Sequence, residues 1–199
     1  IARHSRPLAQ IRLLAPLPVP RQMRDFSVFP GHIKQAPRGM RRLAAMARGD
    51  EAAAAAAKPL DAVPDIYRTQ PAYYLTNRFS VIGPDAVVAW PRYSRVMDFE
   101  CEFGIVIARP GRDIPVGMQA RVNGEVWGRG SSADMLFTFE DMIAYVSRDE
   151  TLHAGEFFGS GTMGSGCGLE LDRFLEDGDV VELEVEGLGV LRNTLRVQG

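Results

Sequence analysis

Hydrophobic positions recur along this chain with two periods, one helical and one extended. Phe139, Met142, Ile143 and Val146 fall at i, i+3, i+4 and i+7, which predicts a short amphipathic helix over 139–146. Arg41 to Lys58 is dominated by alanine, the strongest helix former, and predicts a helix broken near Gly49-Asp50 and ended by Pro59 and Pro64. Alternating or β-branched runs bounded by glycine or proline predict strands at Phe79–Gly83, Ala86–Trp90, 98–107, 180–185 and 190–195. Asn123-Gly124, set between β-branched residues in Ala120–Trp127, is a hairpin signal. Residues 7–20 hold four prolines and read as an extended or polyproline-like segment at a sheet edge. The sum is an α+β, β-rich chain with a few short helices. It lacks the regular strand–helix alternation of a doubly wound parallel sheet.

Composition narrows the class. The 199 residues are 46% hydrophobic and 24% charged, and 23 basic against 25 acidic side chains give a net charge of −2. That profile fits one domain with a sizeable core, and a balance this near zero argues against a dedicated nucleic-acid binder. No apolar run approaches the roughly 18 residues of a membrane span. Cys101 and Cys167 are too few for a disulfide framework and lack zinc-ligand spacing, so a reducing, cytoplasmic setting is expected. Residues 1–50 carry ten Arg/Lys and two Asp, whereas residues 150–199 carry ten Asp/Glu and three Arg, so the basic part is expected to dock on the acidic half. The composition shift divides the chain into an N-terminal arm or small lobe, 1–65, and a main domain, 66–199.

Candidate chemistry lies in three places. If Asp98–Ile105 is extended, Phe99, Cys101, Phe103 and Ile105 share one face, and Asp98, Glu100 and Glu102 share the other. Carboxylates at successive same-face positions repel unless water or a cation intervenes, and a hard divalent ion bound by oxygen removes the repulsion. The pattern alone is weak, because Glu182-Leu183-Glu184-Val185-Glu186 repeats it where a solvated acidic face suffices. Asp25 and His32, seven residues apart, add a possible oxygen ligand and an imidazole able to take a proton from water. His4 and His153 read as structural or exposed. Gly159-Ser160-Gly161-Thr162-Met163-Gly164 spells Gly-x-Gly-x-x-Gly, yet too little chain follows it for a dinucleotide-binding helix. A segment with five glycines among residues 159–168 instead suits close backbone approach to a carboxylate or enolate, or a tight loop that serves packing alone, with Glu170 placed to orient a histidine or to help position water.

In this order the segments resemble the fumarylacetoacetate hydrolase family, from Pro71 to the C-terminus. Asp98-Phe99-Glu100-Cys101-Glu102 with Gly111-Arg112-Asp113-Ile114-Pro115 is similar to its metal-binding strand and turn, Gly159–Glu170 to its glycine-rich loop, and Asp177–Glu182 to the strand that follows. The Asp25-to-His32 spacing is similar to that of fumarylacetoacetase members. The resemblance implies a mixed β-roll, usually a homodimer, that binds Mg²⁺ or else Mn²⁺ or Ca²⁺ and cleaves a C–C bond in a diketo acid or related 2-oxo acid. It implies Asp25, Glu100 and Glu102 as metal ligands, His32 as the base and Glu170 as its orienting partner. Thr162, Gly161 and Tyr74 would meet the substrate. A 2-oxo acid decarboxylase or isomerase on the same scaffold, or a non-catalytic dimeric binding member, is the alternative.

One departure stands out. In the family a long stretch lies between the Gly-Arg-Asp-Ile-Pro turn and the Arg-Val-Asn-Gly strand, and it supplies a further aspartate ligand and Arg, Gln and Lys for the oxyanion. Here only Val116-Gly117-Met118-Gln119-Ala120 separate Pro115 from Arg121, and neither of the chain's two lysines, Lys34 and Lys58, matches that role. A segment is therefore expected to be lacking between about 116 and 120. The favoured reading is that the protein has this stretch outside these 199 residues and is an active enzyme; if it does without it, weaker metal binding and reduced activity are expected.

Overall fold

The computed structural model describes residues 7–107 and 116–198. Among them run, in chain order, β1 (Met23–Phe26), α1 (Pro30–Ala47), α2 (Glu51–Ala56), α3 (Ile66–Thr69), β2 (Tyr73–Leu75), β3 (Val87–Trp90), β4 (Gly104–Val106), β5 (Gly117–Val122), β6 (Glu125–Ser131), α4 (Phe139–Val146), β7 (Phe157–Gly159), α5 (Gly168–Leu171), β8 (Val180–Val185) and β9 (Gly189–Val197). Two mixed sheets result, ordered β2-β1-β7-β4 and β3-β9-β8-β5-β6. β1 pairs parallel with β7 and β3 parallel with β9; every other pairing is antiparallel. Phe26, Val28, Phe29 and Phe158 from the first sheet and its flank share one core with Met118, Ala120 and Val185 of the second and Met142 of α4. The two sheets share this interior, a second buried cluster forms from Val122, Leu175, Val181 and Leu195, and the expected α+β, β-rich class holds.

Several elements follow the sequence closely. α4 spans 139–146, and its start is sealed by reciprocal hydrogen bonds between Thr138 and Asp141. Asn123 (φ 51°) and Gly124 (φ 81°) form the two-residue turn between β5 and β6. The alanine-rich helix breaks at Gly49 (φ 71°), and the Asp50 carboxylate accepts from Ala53 N–H to start α2. The basic N-terminal part does meet acidic partners: Arg24 pairs with Glu150 and Glu156, and Arg38 and Arg42 with Asp172.

Other expectations are corrected. α1 begins at Pro30 rather than near Arg41, because proline suits the first helical position, and it continues through Pro37 as Ile33, Ala36 and Ala45 are buried along it. It runs for 18 residues. Residues 7–20 form no strand; a 3₁₀ turn at Leu8–Gln10 leads into bends, as prolines withhold the amides a ladder needs. Phe79–Gly83 is not a strand either, since Asn77 and Ser80 close a turn there. Only 104–106 of the predicted 98–107 strand pairs as one. Cys101 and Phe103 instead bond the backbone of the glycine-rich loop, through Gly166, Met163 and Ser160, and Glu100 bridges to Cys167. Residues 117–122 form one continuous strand, β5, while the turn expected at Arg109-Pro110-Gly111, the Gly111–Pro115 stretch and His4 lie outside the described residues. No helix among the described residues is long and apolar enough to cross a membrane.

Candidate active site

Backbone pairing gathers the carboxylates. Asp25 on β1 stands between Tyr74 of β2 and Gly159 of β7 in register, and Gly159 also pairs with Gly104 of β4, two residues after Glu102. A side chain at Gly159 would come within 3.0 Å of Glu102 Oε2 and 3.6 Å of Asp25 Oδ1, so glycine there leaves the two carboxylates room. Asp25, Glu100 and Glu102 thereby place one oxygen each within 4.8 Å of one another.

The surrounding hydrogen bonds fix these groups. Glu102 accepts from Gly161 N–H (3.2 Å) and from the Thr162 hydroxyl (3.3 Å), and Asp25 Oδ2 accepts from the Tyr74 hydroxyl (2.7 Å). Gly161 (φ 80°) must be glycine, since a Cβ would fall 1.9 Å from Phe26 O. Thr162, 3% exposed, and the Gly161 amide thus spend their donors on Glu102. Tyr74 is half exposed at the rim. Asp98 leaves the other two carboxylates and accepts from Gly168 and Leu169 N–H at 2.7 and 2.6 Å, holding the first turn of α5.

The imidazole arrives from α1. Gly31 lies against Gly164, and Gly39 against the Leu169 carbonyl, where a Cβ would approach to 2.1 Å. α1 consequently rests directly on the glycine-rich loop, and His32 in its first turn reaches Glu170. His32 Nδ1 is 2.7 Å from Glu170 Oε1, and Nε2 is 3.8 Å from Glu100 Oε1. Glu170, its side chain fully buried, also accepts from Ser165 N–H at 2.8 Å. A carboxylate accepting at Nδ1 sets that nitrogen as N–H and leaves the Nε2 lone pair toward the carboxylates.

Electrostatics follow from the crowding. Desolvation, then the charges of Asp25 and Glu100, pushes the Glu102 carboxyl well above the usual range. Desolvation also raises Asp25 and Glu100, although Tyr74 and His32 respectively oppose this. Burial and the Asp25 bond raise the Tyr74 phenol, which stays an O–H donor. Buried Asp25 Oδ1 has no hydrogen-bond partner among the described residues. Three hard oxygen donors that repel one another, one of them unpartnered, fit a divalent cation of the Mg²⁺, Mn²⁺ or Ca²⁺ class. By contrast, the second acidic run is neutralised locally: Glu182 and Glu184 pair with Arg121, and Glu182 also with Arg192.

The family model for the fumarylacetoacetate (FAA) hydrolase C-terminal domain matches residues 43–117 and 115–196. The chain belongs to this family. An uncharacterized protein of Archaeoglobus fulgidus is 26% identical over 178 residues, covering 63% of this chain and 69% of the relative. Oxaloacetate tautomerase YisK of Bacillus subtilis is 33% identical over 106 residues, covering 50% of this chain and 34% of that protein. The chain thus spans from about a third to just over two thirds of these curated relatives. Among solved structures, a probable 2-hydroxyhepta-2,4-diene-1,7-dioate isomerase from Mycobacterium abscessus superposes with TM-score 0.73 at 22% identity, over 100% of this chain and 84% of that one. Maleylpyruvate hydrolase from Sphingobium sp. SYK-6, in complex with manganese(II) ion and pyruvate, superposes with TM-score 0.66 at 16% identity, over 97% and 76%. The family fold is therefore shared by proteins named hydrolases, isomerases and tautomerases.

Sequence reasoning brought Asp25, His32, Glu100, Glu102 and Glu170 forward, and the fold sets the three acidic ligands together with His32 between Glu100 and Glu170. It missed Cys167, whose Sγ lies 3.8 Å from His32 Nδ1 and 3.5 Å from Glu170 Oε1. It also missed Asp98 as the carboxylate that caps the Glu170 turn. The only signal for Cys167 was its place three residues before Glu170.

Proposed function

We propose that this protein is a divalent-metal-dependent enzyme that hydrolyses a C–C bond in a fumarylacetoacetate- or acylpyruvate-like diketo acid. The single observation that carries this reading is the His32–Glu170 pair whose Nε2 lies 3.8 Å from Glu100 Oε1, one of the Asp25–Glu100–Glu102 cluster. Asp25, Glu100 and Glu102 would hold a divalent ion, which would supply Lewis-acid stabilisation of the enolate charge. Glu170 holds the imidazole by Nδ1, and His32 accepts a proton from water at Nε2. The water oxygen adds to the remote carbonyl, the C–C bond breaks with its electron pair passing into the enolate, and His32 returns the proton to that carbon. The Tyr74 hydroxyl keeps Asp25 oriented at the rim, while Gly161 and Thr162 steady Glu102. The proposed setting is cytoplasmic and the proposed assembly a homodimer.

The similarity to a tautomerase favours a second reading, in which the same base moves a proton on a 2-oxo acid without breaking the chain. Product analysis separates the two. With Mg²⁺, a panel of diketo acids should yield pyruvate or acetoacetate, and Glu100→Ala should abolish it. Enol–keto conversion without cleavage would establish the second reading. Saturable acid binding with neither reaction would leave a non-catalytic binding member. The family model matches in two pieces meeting at residues 115–117, which supports the reading that a stretch is lacking near there.

A further inference from the structure

We infer that His32, Cys167 and Glu170 form a second metal site, one for a thiophilic divalent ion such as Zn²⁺, which shares the imidazole with the carboxylate cluster and switches it off. Their ligand atoms lie within 4.8 Å of one another. A tetrahedral zinc ion with a bond to sulfur of ~2.3 Å and bonds to nitrogen or oxygen of ~2.0–2.1 Å needs its ligands about 3.6 Å apart across a sulfur edge and about 3.3 Å apart across a nitrogen–oxygen edge. Cys167 Sγ is 3.8 Å from His32 Nδ1 and 3.5 Å from Glu170 Oε1, already close to those edges. The Nδ1–Oε1 edge, 2.7 Å as a hydrogen bond, has to open by about 0.6 Å.

The backbone presets the trio. Cys167 is bridged to Glu100 and precedes the turn of α5, which places its thiol beside Glu170. Asp98 clamps that turn through two amides. Thiolate plus imidazole selects a softer ion than the all-oxygen cluster does, so the two sites divide the metals by ligand chemistry. His32 touches one cluster through each nitrogen, Nδ1 toward Cys167 and Glu170, Nε2 toward Glu100.

Occupation has a defined proton balance. The thiol proton leaves to solvent, and the Nδ1 proton moves to Nε2 as Nδ1 binds the ion. Nε2 then carries N–H instead of a lone pair and cannot accept a proton. This switching consequence, unlike the ion site itself, rests on the base role proposed for His32.

The test uses the full chain in excess Mg²⁺ and Cd²⁺ as the probe, read by the ultraviolet thiolate-to-cadmium absorption. A band saturating at one ion per chain, lost in Cys167→Ser and kept in Cys101→Ser, is the expected result. No band in the wild type, or an undiminished band in Cys167→Ser, overturns the site. Should Cys167→Ser fail to fold, His32→Gln keeps the thiol and should bind Cd²⁺ at least about 10-fold more weakly; unchanged affinity overturns the site. Zn²⁺ should suppress the Mg²⁺-dependent reaction in the wild type and spare Cys167→Ser. Cadmium absorption without such suppression upholds the ion site and overturns its switching role.

Discussion

Replacing Glu102 by glutamine keeps the side chain's shape and removes one of three charges whose oxygens lie within 4.8 Å of one another. Two unit charges at that separation repel by about 3.5 kcal/mol at an effective dielectric of ~20. Solvent lowers this on the Glu100 side, where the side chain is 43% exposed. A gain of ~1–3 kcal/mol is expected for the metal-free variant once the carboxyls ionise. With the glutamine oxygen kept on Gly161 N–H, its NH₂ takes the place of Oε1 and donates to the Thr162 hydroxyl oxygen, so that hydroxyl gives up its bond to residue 102. The pH dependence has a fixed sign, because the folded protein raises all three carboxyl pKa values. Such a group takes up a proton on folding. Its stabilisation is complete below the unfolded value of about 4 and is lost as pH rises through the raised folded value. Metal-free wild type should therefore lose stability from about pH 4 upward, and Glu102→Gln should lose less. Mg²⁺ reverses the trend in the wild type by binding the ionised form, adding about 2.7 kcal/mol at a hundredfold excess over Kd. Urea unfolding followed by circular dichroism, with EDTA or Mg²⁺, measures each quantity. A variant less stable than the wild type at about pH 8 without metal, or one gaining as much from Mg²⁺ as the wild type, would refute the reasoning.

Glu170→Gln should lower kcat by about 10–100-fold while Mg²⁺ binding, read by calorimetry, stays unchanged, because it disturbs the imidazole and none of the three carboxylates. Gly161→Ala places a Cβ 1.9 Å from Phe26 O at φ 80° and should cost more than about 3 kcal/mol in urea unfolding. Asp98→Ala strands the Gly168 and Leu169 amides and should cost ~1–3 kcal/mol; Asp98→Asn, which retains one acceptor, should recover part of it.

The sequence by itself determined the elements governed by local rules. Helical spacing at Phe139–Val146, the Asn123-Gly124 turn and the Val180–Val185 strand are short-range properties, and each stands where its pattern put it. The chemistry of the site was legible as residue types, since an imidazole and clustered carboxylates are few and distinctive in 199 residues. Tertiary structure alone decided which of two Glu-x-Glu runs forms a charge cluster. Near Asp25, Glu100 and Glu102 gain a third carboxylate and Glu102 is desolvated, whereas Glu182 and Glu184 meet arginines across the sheet. It likewise took Asp98 away from the cluster to cap α5, and set Cys167 beside His32 across 135 residues of chain. Those outcomes depend on which backbones can touch, as at Gly31, Gly39 and Gly159, and a one-dimensional pattern carries no record of that distance.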